Sequence, residues 1–70
     1  MTDEVLKHLG IRIRALRINE NISQEELGHL AKLHRTYVGA IERGERNPSV
    51  LSLKKIADAL KVNLSDFFDE

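Results

Sequence analysis

Arg35, Thr36, Gly39, Ala40 and Arg43 are spaced so that one short helix carries all five on the side away from Val38 and Ile41. That face offers two guanidiniums, a hydroxyl and two very small residues, which is chemistry for hydrogen bonding rather than for making bonds. A helix that must enter a groove wants such a face, with long donors at the rim and no bulk at the centre. The rest of the chain offers little to catalysis. Ser23, Ser49, Ser52 and Ser65 stand where helix caps or helix surface explain them better than nucleophiles. His8, His29 and His34 lack the close ligand spacing with carboxylates that zinc requires, so each reads as a surface residue. Without cysteine there is neither a disulfide nor a thiolate metal site. No recognisable acid–base pattern joins histidines to carboxylates. The expectation is a chain that is not an enzyme and takes no cofactor or metal.

The stretch Ser23–Arg43 positions that face. Ser23 with Glu26 three residues later forms a capping box opening helix 2, and Ile22 and Leu27 can supply the hydrophobic staple. Leu27, Leu30 and Ala31 follow at helical spacing, from Gln24 to about Ala31. After Lys32-Leu33-His34 the period restarts in helix 3, Arg35 to Arg43, and Gly44 ends it as a C-terminal glycine. Before this stretch, Leu9, Ile13 and Leu16, extended by Val5 and Leu6, predict helix 1 from about Asp3 to Asn19. Gly10 inside helix 1 costs about 1 kcal/mol against Ala, which predicts a frayed front end. Lys7, Arg12 and Arg14 are taken as solvated. Pro48 forces Asn47 out of the helical region, Ser49 caps helix 4 as far as about Lys61, and Ser65 caps a last short helix bearing Phe67 and Phe68. No segment alternates as a strand. The pattern predicts an all-α chain of five helices in one domain over residues 1–70.

The expected core is Leu9, Ile13, Leu16, Ile22, Leu27, Leu30, Val38, Ile41, Leu53, Ile56, Leu60, Leu64 and one of the two phenylalanines. Arg17 and Glu42 fall at the inner edges of helices 1 and 3, where an isolated charge would be expensive, so a structural ion pair between them is expected. Leu64, Phe67 and Phe68 crowd more apolar bulk into residues 62–70 than one chain end readily hides. Contact with a second copy is the expected outlet; the alternative is that both rings close the monomer's own core.

A chain of 70 residues buries only about 60% of its unfolded surface on folding. No apolar run approaches the 18 residues of a membrane span and the N-terminus lacks a signal-peptide core, so a soluble cytoplasmic protein is expected. Eleven basic and eleven acidic residues give a net charge of zero, which at first sight opposes nucleic-acid binding. The distribution softens this. Between Val5 and Arg46 lie eight Lys/Arg (Lys7, Arg12, Arg14, Arg17, Lys32, Arg35, Arg43, Arg46) against five Glu (Glu20, Glu25, Glu26, Glu42, Glu45), while Asp3, Glu4, Asp66, Asp69 and Glu70 place acid at the ends. One basic face with acidic termini turned away fits this pattern, as does an ordinary mixed surface.

Gly10-x-Arg12-Ile13-Arg14-x-Leu16-Arg17, Ser23-Gln24-Glu25-Glu26-Leu27, Val38-x-x-Ile41-Glu42-Arg43-Gly44, Asn47-Pro48-Ser49 and Leu53-x-x-Ile56-Ala57-x-x-Leu60 together resemble the Cro/CI-type (XRE) helix-turn-helix family of bacterial and phage regulators. The likeness runs from about Leu9 to Phe68. Within the family, Leu33-His34-Arg35-Thr36-Tyr37-Val38, Ile41-Glu42-Arg43 and Arg46-Asn47 look most like restriction–modification controller proteins, small dimers that bind operator DNA upstream of their own and the endonuclease gene.

The resemblance implies a five-helix, lambda-repressor-like DNA-binding fold with its helix-turn-helix at 23–43. It implies that helix 3 enters the major groove while helix 2 lies across the backbone. Carried over by position, Arg35 and Thr36 face base edges, and Arg35 suits guanine O6 and N7. Ala40 touches a thymine methyl or gives clearance, and Tyr37 reaches a phosphate or a base at the half-site edge, or else packs on Ile41. Gln24 holds a phosphate, and Arg43, Arg46 and Asn47 clamp the backbone. Three positions depart from the family's pattern. Lys32 replaces a turn glycine, which implies a looser or shifted corner, or else a lysine that reaches a phosphate. His34 takes a cap position where Ser, Thr or Asp is usual, which implies weak capping. Glu45 puts a carboxylate beside the clamp, opposing Arg46.

The expected function is a homodimeric, sequence-specific DNA-binding transcriptional regulator of palindromic operators, with double-stranded DNA and a second copy as partners and no small-molecule effector. The alternative is an antitoxin-like or adaptor domain whose main partner is another protein, which the zero net charge and the apolar C-terminus favour.

Overall fold

The computed structural model describes residues 1–68; Asp69 and Glu70, part of the expected acidic terminus and of the 62–70 segment, lie outside the described residues. Four α-helices follow one another: α1 Asp3–Asn19, α2 Gln24–Ala31, α3 Arg35–Glu42 and α4 Val50–Leu60. A 3-10 turn, Leu64–Phe67, follows them, and no strand is present among the described residues. The fifth helix expected from Ser65 is therefore not an α-helix. The element spans four residues, capped from Asn63 rather than Ser65, and the Asp66 carboxylate accepts from the Asn63 N–H at 2.9 Å, closing a tight box one turn long.

Each helix starts at a residue with extended backbone whose side chain accepts a free N–H. Thr2 serves α1, Ser23 serves α2 through the Glu26 N–H at 3.0 Å, and Ser49 serves α4 through the Ser52 N–H at 3.0 Å. The apolar stripes then converge. Leu9, Ile13, Leu27, Ala31, Val38, Ile41, Leu53, Ile56, Ala57, Leu60 and Phe67 form one buried cluster, with Leu16, Ile22, Leu33, Tyr37, Val62 and Leu64 half-buried against it.

Three expectations about packing are corrected. Leu30 is 51% exposed and is not in the core. One helical step is 100°, so the pair Leu27 and Ala31, four apart, owns the inner face and leaves Leu30 beside it, in a shallow groove with Lys32, Lys55 and Lys61. Helix α1 is not frayed at Gly10 either. That glycine is buried where α1 crosses α3, and a Cβ there would lie 2.4 Å from the Glu42 carbonyl oxygen and 2.5 Å from that of Ile41. The cost in helix propensity is exchanged for a close crossing of backbones. Arg12, expected in solvent, donates from Nε to the Asp66 carbonyl at 2.8 Å and ties the 3-10 turn back to α1.

Candidate nucleic-acid interface

The orientation of α3 is fixed from beneath by one polar network. Arg17 and Glu42 are both buried, and Arg17 donates from Nε to Glu42 Oε2 at 2.7 Å and from Nη2 to Oε1 at 3.0 Å. Its Nη1 donates to the Ile22 carbonyl at 2.9 Å, and Gln24 Nε2 donates to Glu42 Oε1 at 3.0 Å. The Arg17–Glu42 pair thus joins α1, the turn before α2, the first residue of α2 and the last residue of α3. The bidentate geometry and the extra donors meet the condition under which a buried pair recovers its desolvation cost.

The corner between α2 and α3 is closed tightly. Lys32 adopts the left-handed conformation, φ 59°, and its N–H reaches the His29 carbonyl at 3.3 Å, while the Leu33 N–H reaches the Gly28 carbonyl at 2.8 Å. A lysine therefore holds the conformation glycine would adopt, at a steric cost of about 1 kcal/mol, and the corner is neither looser nor shifted into another shape. Gly28 lets it close: a Cβ there would stand 2.6 Å from the Leu33 carbonyl oxygen. His34 then caps α3, its Nδ1 accepting from the Thr36 N–H at 3.0 Å. The imidazole thus performs the task expected of a hydroxyl or carboxylate, in the tautomer that leaves Nδ1 unprotonated.

Arg35 and Thr36 come out exposed on the first turn of α3, and Ala40, half-buried, lies about one turn further on. Gly39 does not share this open face. It is buried beneath the side chains of Gln24 and Arg43, whose nearest atoms would lie 3.3 and 3.1 Å from an added Cβ. Arg43 is the C-cap of α3 and pairs through Nε with Glu45 at 3.0 Å, so Glu45 faces Arg43 rather than Arg46. Arg46 instead lies over the Tyr37 ring, 5.3 Å from its centroid. Tyr37 is half-buried against the core, with its hydroxyl 3.5 Å from Ser52 Oγ. Asn47 is exposed in the loop after α3. Arg35, Thr36, Ala40, Arg43, Arg46 and Asn47 thus fall along α3 and its exit. Gln24 is half-buried, its amide already bonded to Glu42.

Sequence reasoning missed Glu25, whose carboxylate accepts from Arg35 Nη1 across the corner. The two residues are ten apart, a spacing no single-helix rule connects; only the fold of the corner joins them. The three residues assigned to dimerisation separate. Phe67 is fully buried and closes the monomer core, so it offers no surface to a second chain. Leu64 is half-buried, and Phe68 is 47% exposed beside Glu4, Val5 and His8. No group of three or more metal-binding side chains occurs among the described residues, and no described helix is long and apolar enough to cross a membrane.

Residues 13–67 match the family described as Helix-turn-helix. The control protein C.BamHI of Bacillus amyloliquefaciens is 41% identical over 70 residues, covering 99% of this chain and 86% of that protein. The control protein C.SmaI of Serratia marcescens is 38% identical over 61 residues, covering 87% and 73%. Among solved structures, the restriction-modification controller protein C.AhdI from Aeromonas hydrophila superposes with a TM-score of 0.89 at 43% identity, covering 90% of this chain and 96% of that one. The chain belongs to the Cro/CI-type helix-turn-helix family of non-enzymatic, DNA-binding transcription regulators, among relatives that include restriction–modification control proteins.

Proposed function

We propose that the chain is a controller protein of a restriction–modification system, a homodimer that binds palindromic operator DNA and regulates its own and the endonuclease gene. The observation that carries this reading is the presentation of Arg35 and Thr36. Both stand clear of the core on the first turn of a helix whose direction is set by the buried Arg17–Glu42–Gln24 network. In the major groove, Arg35 pairs with guanine O6 and N7, Thr36 meets a neighbouring base edge and Ala40 rests on a thymine methyl. Arg43, Arg46, Asn47 and the remaining Gln24 amide N–H hold phosphates, and Tyr37 with Arg46 above it lies at the edge of the half-site.

One module of this size offers too few base contacts for useful specificity. Two copies related by a twofold axis read half-sites one helical turn, or a multiple of it, apart. Residues 62–70 carry the dimer contact through Leu64 and Phe68, and exposed Val50 and Leu51 add apolar surface for it. The zero net charge is compatible with this reading because Arg35 and Arg43 are each held by an exposed glutamate. Such pairs are weak: the Arg43–Glu45 pair opens readily when a phosphate competes, and Arg35 has a second edge to offer a base without leaving Glu25. Protein concentration is the control variable.

The test is a gel-shift titration against DNA from immediately upstream of the gene encoding this chain, at two salt concentrations. A cooperative, salt-sensitive shift at nanomolar protein is expected. Equal affinity for random DNA would favour a domain whose main partner is another protein.

A further inference from the structure

We propose that Glu25 is a specificity-determining residue that acts through Arg35, holding one nitrogen of its guanidinium so that the opposite edge is presented to a guanine. The inference rests on the base-reading role proposed above for Arg35. Glu25 lies in the first turn of α2 and Arg35 at the start of α3, and the bond between them runs from Arg35 Nη1 to Glu25 Oε2. Both side chains are largely exposed, at 65% and 70%, so the pair adds little to folding. Its value lies in which nitrogen it occupies. A guanidinium has five N–H donors in a planar fork, and Nε and Nη2 share one edge. Glu25 takes Nη1 and leaves that Nε–Nη2 edge unbonded, as Arg17 shows by using the same edge to grip both oxygens of Glu42. Guanine O6 and N7 need such a two-donor edge.

The arrangement acts on both sides of the discrimination. On the operator, Arg35 keeps its bond to Glu25 while pairing with guanine, so fewer rotamers are lost on binding and the fork is already aimed. On random DNA, an arginine neutralised by its own glutamate contributes less to the phosphate attraction that dominates non-specific binding. Glu25 therefore widens the gap between the two affinities.

The experiment measures affinity for the operator and for random DNA of equal length, at one salt concentration, for the wild-type chain, Glu25→Gln, Glu26→Gln, Arg35→Ala and the Glu25→Gln/Arg35→Ala double variant. Glu26 is the neighbouring carboxylate in the same turn. Glu25→Gln is expected to weaken operator binding about two- to fivefold, within the range open to an exposed pair. It should leave random-DNA binding no weaker than wild type. It should cost nothing further once Arg35 is alanine, and Glu26→Gln should leave the ratio of the two affinities unchanged. Tightening of both DNAs by one factor in Glu25→Gln, an equal loss in the Arg35→Ala background, or the same change in Glu26→Gln would each overturn the proposal. A wild-type chain with no operator preference overturns the regulator reading and this proposal with it; a preference that Glu25→Gln leaves intact overturns this proposal alone.

Discussion

Of the arginine–glutamate pairs around helix α3, the one beneath it and the one at its N-terminal tip stand in sharpest contrast. Arg17 and Glu42 have side chains only 11% and 1% exposed and share two hydrogen bonds, with Ile22 and Gln24 completing the donor and acceptor set. Arg35 and Glu25 are 65% and 70% exposed and share one bond. The chemistry is the same and the setting reverses its use. Beneath the helix, removal of one partner strands a charge out of reach of water, so the pair locks the position of α3. At the tip, either partner can turn to solvent, so the pair can only bias which way a guanidinium points. The buried pair serves architecture; the exposed one is free to serve the recognition proposed above.

The sharpest way to break this comparison is to cut the buried pair. Glu42→Ala should lower unfolding free energy by about 3–5 kcal/mol in urea denaturation, enough to unfold much of a domain this small. Next comes the crossing the network depends on. Gly10→Ala should cost about 1–3 kcal/mol by overpacking against the Glu42 and Ile41 carbonyls, despite better helix propensity. His34→Ala removes the cap of α3 and should cost about 1 kcal/mol, with His34→Ser restoring it, both read by thermal melting. Glu25→Gln should change stability least, by roughly 0.2–1 kcal/mol in the same melts. A larger stability loss for Glu25→Gln than for His34→Ala would erase the contrast between the two pairs.

Much of this was legible from sequence, for physical reasons visible in particular residues. Caps and apolar period place α1 at Asp3–Asn19 and α2 at Gln24–Ala31, as the structure has them, and the inner positions of Arg17 and Glu42 announced a partner for each. Periodicity failed where it cannot discriminate. Leu30 satisfies a helical template as well as Ala31 does, and only the packing of α4 against α2 decides which one is covered. The last four residues before Phe68 are too few for an α-helix to be told from a 3-10 turn by pattern. At the site, the exposed faces of Arg35 and Thr36 followed from spacing, but the partners did not. Glu25 with Arg35, Arg46 over Tyr37 and Gln24 with Glu42 are contacts between separate elements, and no local rule ranks them. Gly10 misled in an instructive way: a cost in propensity signalled a close crossing rather than fraying.

The most direct measurement is the affinity of Arg35→Ala for the operator with each half-site base pair permuted in turn, set beside random DNA. Arg35→Ala should lose about 1–3 kcal/mol of discrimination at one base pair in each half-site and leave the others as they were. Equal losses on operator and random DNA would contradict base reading by Arg35 and reduce it to one more phosphate contact.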